Sequence, residues 1–441
     1  MGAIPTSARF VVPLDDAGAG SVDEVGVKGW YLSRLHGLGY NTPDGFVVTA
    51  AAYEAATRDA HIDHRLHTIW AAAGNAPGDD IAMLARKARH LIAQIQFDSA
   101  FTQEIGSALA ALRVSTDGES NHPVPVAVRS STAPGAVSGP ECAGVHASFT
   151  DVVDLAHVVS RIHSCWASLF GERALAMRAR GLGAEHPTMA VVVQRMVHAE
   201  KSGLAIPLGT SDDLLVEATF GLGEPIISGA VEPDRYVISR TTSIPTSVAI
   251  GRKRVVLNAG AGHAFLPTER QTTRVLDDRD VARIGQLSSS VDSHFGAPHE
   301  IEWALLEDQL HVLQIRPFTP GQTVTTPSID RTISGIGVGL GFATGRVRIA
   351  QRPGDLTEVD AGDILVTSGT TPEWTPHLER AGAVITDDGD SSCHAARVAR
   401  ELGIPAVVGT GTATTMLEDG HVVTVDAARG WVLPVVALDA D

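Results

Sequence analysis

The sequence has few cysteines, few aromatic residues and no long apolar run. Its three cysteines, Cys142, Cys165 and Cys393, form no CxxC pair and cannot all be bridged, which argues against a disulfide-stapled secreted fold. No run approaches the roughly 18 to 20 apolar residues that a membrane-spanning helix needs. The first residues lack the charged and apolar regions of a secretory signal. We therefore expect a cytoplasmic protein that does not contact a membrane.

Positive charge is also scarce. The 34 Lys and Arg residues face 51 Asp and Glu residues, so the formal net charge is −17. A field of this sign repels the phosphates of nucleic acid and anionic lipid, and no nucleic-acid partner is expected. A nucleotide still binds an acidic protein where a few cations converge and a divalent metal neutralises the rest. Single Lys and Arg residues beside small-residue turns are therefore informative.

The length and one segment of unusual composition predict the domain organisation. A chain of 441 residues exceeds what one hydrophobic core usually organises. Residues 319–330 (TPGQTVTTPSID) are rich in Pro, Thr and Gly and lack helical periodicity, which is typical of a linker. The sequence thus predicts a large domain over residues 1–318, a flexible linker over 319–330 and a small domain over 331–441.

Hydrophobic patterns predict an α/β and α+β fold. In the large domain, a helical stretch over 154–180 alternates with strand-like runs at 126–128, 189–193, 214–217 and 310–314. In the small domain, one helix over 394–402 is surrounded by short β runs at 346–349, 363–366, 383–386, 406–408 and 421–425. We expect a two-lobed large domain followed by a small β-rich domain.

The small domain carries a histidine at a predicted helix start. A polar turn, DDGDSSC, follows the strand at 383–386 and leads to His394, with Ser391 or Ser392 expected as the N-cap and Gly403 after the helix. A helix N-terminus favours an attached anion and keeps the imidazole neutral, as a nucleophile requires. A histidine that merely bonds to its own loop fits the same position.

Two segments of the large domain have the composition of a phosphate site. A Gly-x-Lys-Gly turn places Lys28 at the start of an apolar-periodic helix, although a solvated loop lysine has the same pattern. A strand ending in Arg129 leads into a loop rich in Ser, Gly and Ala. A guanidinium beside an uncrowded loop suits phosphate binding, and a flexible surface loop is the alternative.

Two further strands suit a nucleotide and its metal. The apolar run at 189–197 (MAVVVQRMV) fits an adenine pocket or a plain core strand. Within residues 299–319, alternation predicts a hairpin with Glu302 on one strand and Gln314 with Arg316 on one face of the other. Carboxylate and amide oxygens are ligands for Mg²⁺, and an arginine there neutralises a transferred phosphate. Polar residues on a solvated hairpin have the same pattern.

Residues 386–411 (TDDGDSSCHAARVARELGIPAVVGTG) resemble the phosphohistidine segment of phosphoenolpyruvate synthase, pyruvate phosphate dikinase and rifampin phosphotransferase. The similarity continues through 335–350 and 421–432. It implies a swivelling domain in which His394 carries a phosphoryl group. Asp390 departs from the family, which usually has a second glycine after Gly389 in this turn.

The large domain resembles the ATP-grasp domain of the same family. The resemblance implies that ATP and Mg²⁺ are the cofactors, that Arg316 acts on the transferred phosphate and that Glu302 and Gln314 bind the metal. It also implies the following nucleotide-binding residues: Lys28, Arg129, Gly144, Ser148, Gln194, Glu217, Glu302, Gln314 and Arg316. Ser148 stands where the family usually has threonine.

The resemblance extends from about residue 23 to 432 and implies an ATP-dependent phosphotransferase. In such an enzyme the histidine takes the β-phosphate of ATP, AMP and phosphate are released, and a small-molecule hydroxyl is the acceptor. Counterparts of the family's TIM-barrel and antibiotic-binding domains are missing, so we expect no third acceptor domain. Two alternatives stay open: a phosphohistidine-forming subunit whose partner subunit carries the acceptor site, and a non-catalytic ATP-binding relic.

The loop over residues 367–382 is a candidate wall for an acceptor pocket. Trp374 offers an aromatic face there, and Glu373 and His377 offer groups that deprotonate a hydroxyl. A capping loop with a packed Trp374 is the alternative.

Overall fold

The computed structural model describes residues 9–17, 20–74, 76, 78–114, 124–133, 147–179, 181, 184, 187–208, 212–227, 231–260, 262–318, 333–338, 342–355, 359–360, 362–390, 393–427 and 430–434. The helices in these residues are α1 (Leu14–Ala17), α2 (Val22–Gly37), α3 (Ala50–Asp59), α4 (Asp63–Ala73), α5 (Gly78–Ile92), α6 (Ser99–Val114), α7 (Leu155–Ser168), α8 (Glu172–Ala179), α9 (Glu224–Ile227), α10 (Thr268–Gln271), α11 (Asp278–Phe295), α12 (Thr375–Leu378), α13 (His394–Leu402) and α14 (Ala413–Met416). None of them combines the length and apolar character needed to cross a membrane.

The strands in the described residues are β1 (Val11–Pro13), β2 (Gly45–Val48), β3 (Val126–Thr132), β4 (Ser148–Val152), β5 (Met189–Arg195), β6 (Lys201–Pro207), β7 (Asp213–Phe220), β8 (Asp234–Ser239), β9 (Pro245–Ala249), β10 (Val255–Asn258), β11 (Gly262–Phe265), β12 (His299–Leu306), β13 (Gln309–Pro317), β14 (Ile333–Ser334), β15 (Ile336–Val338), β16 (Phe342–Ile349), β17 (Ile364–Thr367), β18 (Ala383–Thr386), β19 (Ala406–Val408), β20 (Val422–Asp426) and β21 (Trp431–Pro434).

The chain divides into two compact units. Unit 1 comprises Met1–His198 and Ile301–Arg316, and unit 2 comprises Ala199–Glu300 and Pro317–Asp441. The linker predicted at 319–330 lies outside the described residues, and the predicted domain boundaries stay a prediction.

Unit 1 is built on an antiparallel sheet with the strand order β1-β2-β5-β3-β4. One face packs in a large core with the helices α3 to α8, through residues such as Val128 and Val193. The other face packs against α2, where Val25 and Leu32 meet Val192. The polar residues of the candidate site lie on this α2 face.

The predicted hairpin at 299–319 is confirmed, since β12 and β13 are neighbouring strands. Their two-residue turn, Glu307 and Asp308, has φ values of 47° and 63°, as the tightest hairpin turns require. Asn41 fixes β13 in unit 1, because its carbonyl accepts from the Val312 N–H at 2.9 Å.

The helical stretch predicted over 154–180 is confirmed, and it consists of two helices. Two helices, α7 and α8, occupy this stretch and are separated at Leu169–Gly171. Leu169 and Phe170 are almost fully buried, and the Phe170 ring packs edge-on against Trp70 at 6.0 Å. The apolar pattern continues through the break because both residues turn into the core.

Unit 2 contains two main sheets. Strands β6 to β9 form consecutive antiparallel pairs, with α11 packed on β6, β7 and β8. A second sheet has the order β14-β21-β20-β16-β17-β18-β19-β15, in which β16 through β19 pair in parallel. Helix α13 connects β18 to β19 and buries its alanines and Val398 in a core with Leu365 and Val384.

Helix α13 has the predicted bounds, and Gly403 ends it with a φ of 70°. The predicted N-cap is wrong, because the N-cap is Cys393, which makes no side-chain capping hydrogen bond. Its own N–H donates to the Asp390 carbonyl at 3.1 Å, so a backbone turn closes there and the helix begins directly afterwards. Ser391 and Ser392 lie outside the described residues.

Candidate functional site

A partly buried ion pair joins the sheet of unit 1 to the β12–β13 hairpin. The Arg129 Nη2 lies 2.5 Å from the Glu302 Oε2, and the Nη1 donates to the Leu313 carbonyl at 3.2 Å. The side chains are only 15% and 21% exposed, so water screens the pair weakly. Arg129 therefore fixes both strands of the hairpin against the sheet.

Burial acts to raise the pKa of Glu302. The charge and hydrogen bond of Arg129 act in the opposite direction, together with the charges of Lys28 and Arg316. These effects outweigh burial, so the pKa of Glu302 lies below its usual range. Burial lowers the pKa of Lys28 from 10.5 to about 8, with a further contribution from Arg129 and Arg316 against the opposing effect of Glu302. Three cations thus act on one carboxylate. Such a cluster attracts a polyanion.

Two buried amides in unit 1 have atoms without a hydrogen-bond partner among the described residues. These atoms are Gln194 Nε2 and Gln314 Oε1. A buried polar atom without a partner is costly, and a bound ligand that supplies the partner removes that cost. A donor at Gln194 fits an acceptor nitrogen of adenine, and an oxygen at Gln314 with the Glu302 carboxylate fits Mg²⁺. The residues present therefore fit both groups.

The sheet register places three of the predicted nucleotide-binding residues on the α2 face. Arg129 lies opposite Val192 in β5, two residues before Gln194, and opposite Ser148 in β4. Residues opposite each other in an antiparallel pair share a face, as do alternate residues of one strand. Ser148 is exposed beside Arg129.

Two predicted nucleotide-binding residues are not part of this arrangement. Glu217 belongs to unit 2, is fully buried and accepts from the Arg235 Nε at 3.2 Å. The guanidinium of Arg235 in turn covers the Trp431 ring at 4.1 Å. Gly144 lies outside the described residues.

The reactive histidine predicted in unit 2 begins α13. His394 is partly buried, and its Nδ1 lies 2.9 Å from the Thr370 Oγ1. Partial burial and the Arg397 charge lower the pKa of His394 against the opposing effect of Glu401, so the imidazole is neutral near pH 7. With Nδ1 bonded to Thr370, the nitrogen suited to act as a nucleophile is Nε2.

Asp387 fixes the turn that precedes His394. Its carboxylate accepts from the Thr410 Oγ1 at 2.8 Å and the Ala413 N–H at 2.5 Å, and it also bonds the Thr414 hydroxyl. Its own N–H donates to the Thr367 carbonyl at 3.1 Å. The ends of three strands are thereby joined around the histidine turn.

The aromatic wall predicted for an acceptor pocket is wrong. Trp374 is 2% exposed and packs in the core of unit 2 with Leu378 and the alanines of α13. Glu373 is exposed and His377 is partly exposed. The packed side chain leaves no aromatic face for a substrate.

Sequence reasoning missed Thr370 and Ser131. Thr370 bonds to a histidine 24 residues away, and no local pattern indicates that contact. Ser131 bonds to the backbone of α2 on both sides of Gly26. The sequence indicated a loop directly after Arg129, whereas β3 continues to Thr132 and so includes Ser131.

Residues 22–333 match the family model described as the AMP/ATP-binding domain of pyruvate phosphate dikinase. The chain belongs to the pyruvate phosphate dikinase and phosphoenolpyruvate synthase family. Residues 359–430 match the model of the mobile domain of PEP-utilising enzymes. The predicted fold class, an ATP-grasp domain followed by a mobile domain, is confirmed, and the family consists of dikinase-type phosphotransferases that form a phosphohistidine.

Relatives in this family align with nearly the whole chain. A probable phosphoenolpyruvate synthase of Archaeoglobus fulgidus is 34% identical over 95% of this chain and 57% of its own length. One of Methanothermobacter thermautotrophicus is 33% identical over 96% of this chain and 63% of its own length. A solved structure of Enzyme I is 31% identical over 18% of this chain and 32% of its own, with a TM-score of 0.17. The chain thus spans about six-tenths of the length of the two phosphoenolpyruvate synthases.

Proposed function

We propose that the chain binds ATP with Mg²⁺ in unit 1, takes a phosphoryl group onto His394 and passes it to a small-molecule acceptor. The observation that carries the proposal is the cluster of Lys28, Arg129 and Arg316 around Glu302, with the partnerless oxygen of Gln314 on the same hairpin. A site with surplus positive charge and an unused amide oxygen suits a metal-bound triphosphate.

The proposed roles follow from position and charge. Lys28, Arg129 and Ser148 contact the phosphates, and Gln194 contacts adenine. Gly144 keeps its role at the phosphates through the family resemblance alone. Glu302 and Gln314 hold the metal, which would withdraw charge from the phosphates, and Arg316 stabilises the charge that develops during transfer. Glu217 keeps a nucleotide-binding role in the proposal through the family resemblance alone, since its bonded partner is Arg235.

His394 supplies the covalent step. In the tautomer with Nδ1–H donating to Thr370, the Nε2 lone pair attacks the β-phosphorus, forming the N–P bond and breaking the bond between that phosphorus and the bridging oxygen to AMP. Hydrolytic release of the γ-phosphate gives AMP and inorganic phosphate as products. We further propose the domains 1–318, 319–330 and 331–441, in which the last swings to carry phosphoryl between sites.

The experiment uses ATP labelled at either the β- or the γ-phosphate. After release of the γ-phosphate, we expect protein-bound label from the β-position only, labile in acid and stable in base, with stoichiometric AMP. Peptide mapping is expected to place the label on the α13 peptide containing His394. Label from the γ-position that stays on the protein once inorganic phosphate has been released, or label on another peptide, would show that the proposed reaction is wrong.

A second candidate function differs in the location of the acceptor site. The burial of Trp374 removes the predicted acceptor wall, and the chain spans about six-tenths of the length of its curated relatives. These observations favour a phosphohistidine-forming component whose acceptor site lies on further polypeptide. Chasing the labelled chain with small hydroxyl or enol acceptors, pyruvate included, separates the two: discharge by a small molecule alone supports the first candidate.

A further inference from the structure

Helix α2 is interrupted at Gly26, two residues before Lys28. Gly26 has a φ of 71° and a ψ of 168°, values outside the helical region. Helical conformation begins again after this residue, so the first N–H groups of the new segment have no partner within the helix. In most helices the side chain preceding the first turn bonds one of these groups, but a glycine has none.

Ser131 bonds the groups that Gly26 leaves open. The Gly29 N–H donates to the Ser131 Oγ at 3.1 Å, and that hydroxyl donates to the Val25 carbonyl at 2.8 Å. Ser131 is fully buried, and a Cβ at position 26 would overlap its carbonyl oxygen and hydroxyl. A strand residue 102 positions away from Gly29 thus caps the segment that carries Lys28.

The position of Lys28 needs such support because its surroundings repel it. Burial acts most strongly against its charge, Arg129 and Arg316 add to this effect, and Glu302 opposes it. An ammonium next to two guanidinium groups relaxes toward solvent unless the backbone beneath it is fixed. Ser131 lies two residues after Arg129 on the same face of β3, so one strand places both cations.

We propose that Ser131 is a positioning residue that holds Lys28 in the cation cluster by capping the second segment of α2. The inference rests on the proposed function only in giving Lys28 a role at the phosphates. In this proposal Ser131 acts through Lys28, because both of its side-chain hydrogen bonds join the backbone of α2.

The first test compares Ser131→Ala with Ser130→Ala. Ser130 is the adjacent buried serine, and its hydroxyl has no hydrogen-bond partner among the described residues, which makes it a matched control. The readout is the rate at which limiting acetic anhydride labels Lys28 from neutral to alkaline pH, followed by peptide mass spectrometry. We expect the Lys28 labelling profile to move to higher pH in Ser131→Ala and to stay unchanged in Ser130→Ala.

The second test measures ATP affinity and turnover. Loss of one capping hydrogen bond predicts an ATP dissociation constant raised about fivefold to tenfold in Ser131→Ala, with the rate of His394 phosphorylation at saturating ATP changed much less. Ser131→Cys, whose thiol is a weaker partner of similar size, is expected to give an intermediate value and covers the case in which the alanine variant folds poorly.

The outcomes separate the two ideas. If the wild-type chain binds no ATP, the proposed function fails, and the labelling profile of Lys28 still decides the role of Ser131. An unchanged profile in both Ser131 variants would overturn the inference, as would an ATP affinity in Ser131→Ala equal to that of Ser130→Ala.

Discussion

The candidate nucleotide cluster of unit 1 and the His394 turn of unit 2 differ in charge and in how far apart their residues lie in the chain. The cluster joins charged residues from distant segments, with 173 positions between Arg129 and Glu302. The His394 turn joins segments that lie closer together in the chain and its key contact is neutral, with Thr370 24 positions from His394. The charges of the first site suit a polyanion, and the contacts of the second keep an imidazole uncharged.

Because of this difference, the two sites affect the stability of the ligand-free protein differently. Like charges held together in unit 1 destabilise the ligand-free protein, and an anion that binds there relieves the repulsion. The His394 turn carries no such cost, because a hydroxyl and a neutral imidazole satisfy each other. Binding energy and nucleophilic chemistry are therefore separable by mutation.

The largest expected effect separates the sites completely. His394→Ala is expected to abolish phosphoryl transfer and to leave ATP affinity nearly unchanged, because the histidine lies in a different unit from the nucleotide cluster. Calorimetric titration of ATP into both proteins checks this, with the exposed His421→Ala as a control that retains transfer. A large loss of ATP affinity in His394→Ala would contradict the separation.

Arg316→Ala is expected to lower turnover more than nucleotide binding. A cation aimed at charge that develops in the transition state contributes about 2.7 to 4 kcal/mol in other enzymes, a rate loss of roughly 10²- to 10³-fold. Single-turnover rates and ATP dissociation constants, measured beside the exposed Arg65→Ala, test it. If only the ATP dissociation constant rises, Arg316 is a ground-state contact.

Lys28→Met is expected to stabilise the ligand-free chain. The pKa of Lys28 is about 8 in the folded chain against 10.5 ordinarily, so the unfolded chain binds more protons between these values and stability rises with pH across them. Below about pH 8 the charge costs about 2 kcal/mol, discounted for the partly exposed ammonium. Urea unfolding is expected to show this gain at neutral pH and its loss at alkaline pH.

The exposed Lys87→Met is the matched control for this experiment, with no comparable gain expected. A Lys28→Met chain no more stable than wild type at neutral pH would show that the cluster does not strain unit 1. The cation cluster of unit 1 would then not differ from the His394 turn in its effect on stability.

The sequence predicted local features well and distant contacts poorly. Helix α13 has its predicted bounds because a polar turn precedes it and Gly403 follows it. The hairpin of β12 and β13 followed from alternation alone. The stretch at 154–180 is helical as predicted, but no local pattern indicates its division at Leu169–Gly171, where Phe170 packs against Trp70.

The candidate site shows the same limit. Alternation put Gln314 and Arg316 on one face of a strand, but it could not place Arg129 against Glu302, since that contact depends on the fold of unit 1. Family resemblance grouped those residues without their geometry. Neither route indicated Ser131, because a serine in a strand has many uses and only its two bonds to α2 reveal one of them.

The smallest expected effect tests the neutral hydrogen bond between Thr370 and His394. Thr370→Val removes the hydroxyl that holds the His394 Nδ1, so the ring loses its fixed orientation and its preferred tautomer. One neutral hydrogen bond contributes about 0.5 to 1.5 kcal/mol, which predicts a fall of roughly threefold to tenfold in the rate of His394 phosphorylation, with ATP affinity unchanged. Rapid-quench measurement of labelled phosphohistidine gives the rate, and phosphorus NMR gives the nitrogen that carries the phosphoryl group.

Thr371→Val is the matched control, because the neighbouring threonine is exposed and makes no side-chain capping bond at the turn that follows it. We expect the wild-type rate in this control and the phosphoryl group on Nε2 in the wild-type protein. A phosphoryl group found on Nδ1 is incompatible with the Thr370 contact, since one nitrogen cannot bind phosphorus and hold that hydrogen bond together. Such a result would require the histidine to turn before it reacts, and the turn around His394 would then be a resting arrangement.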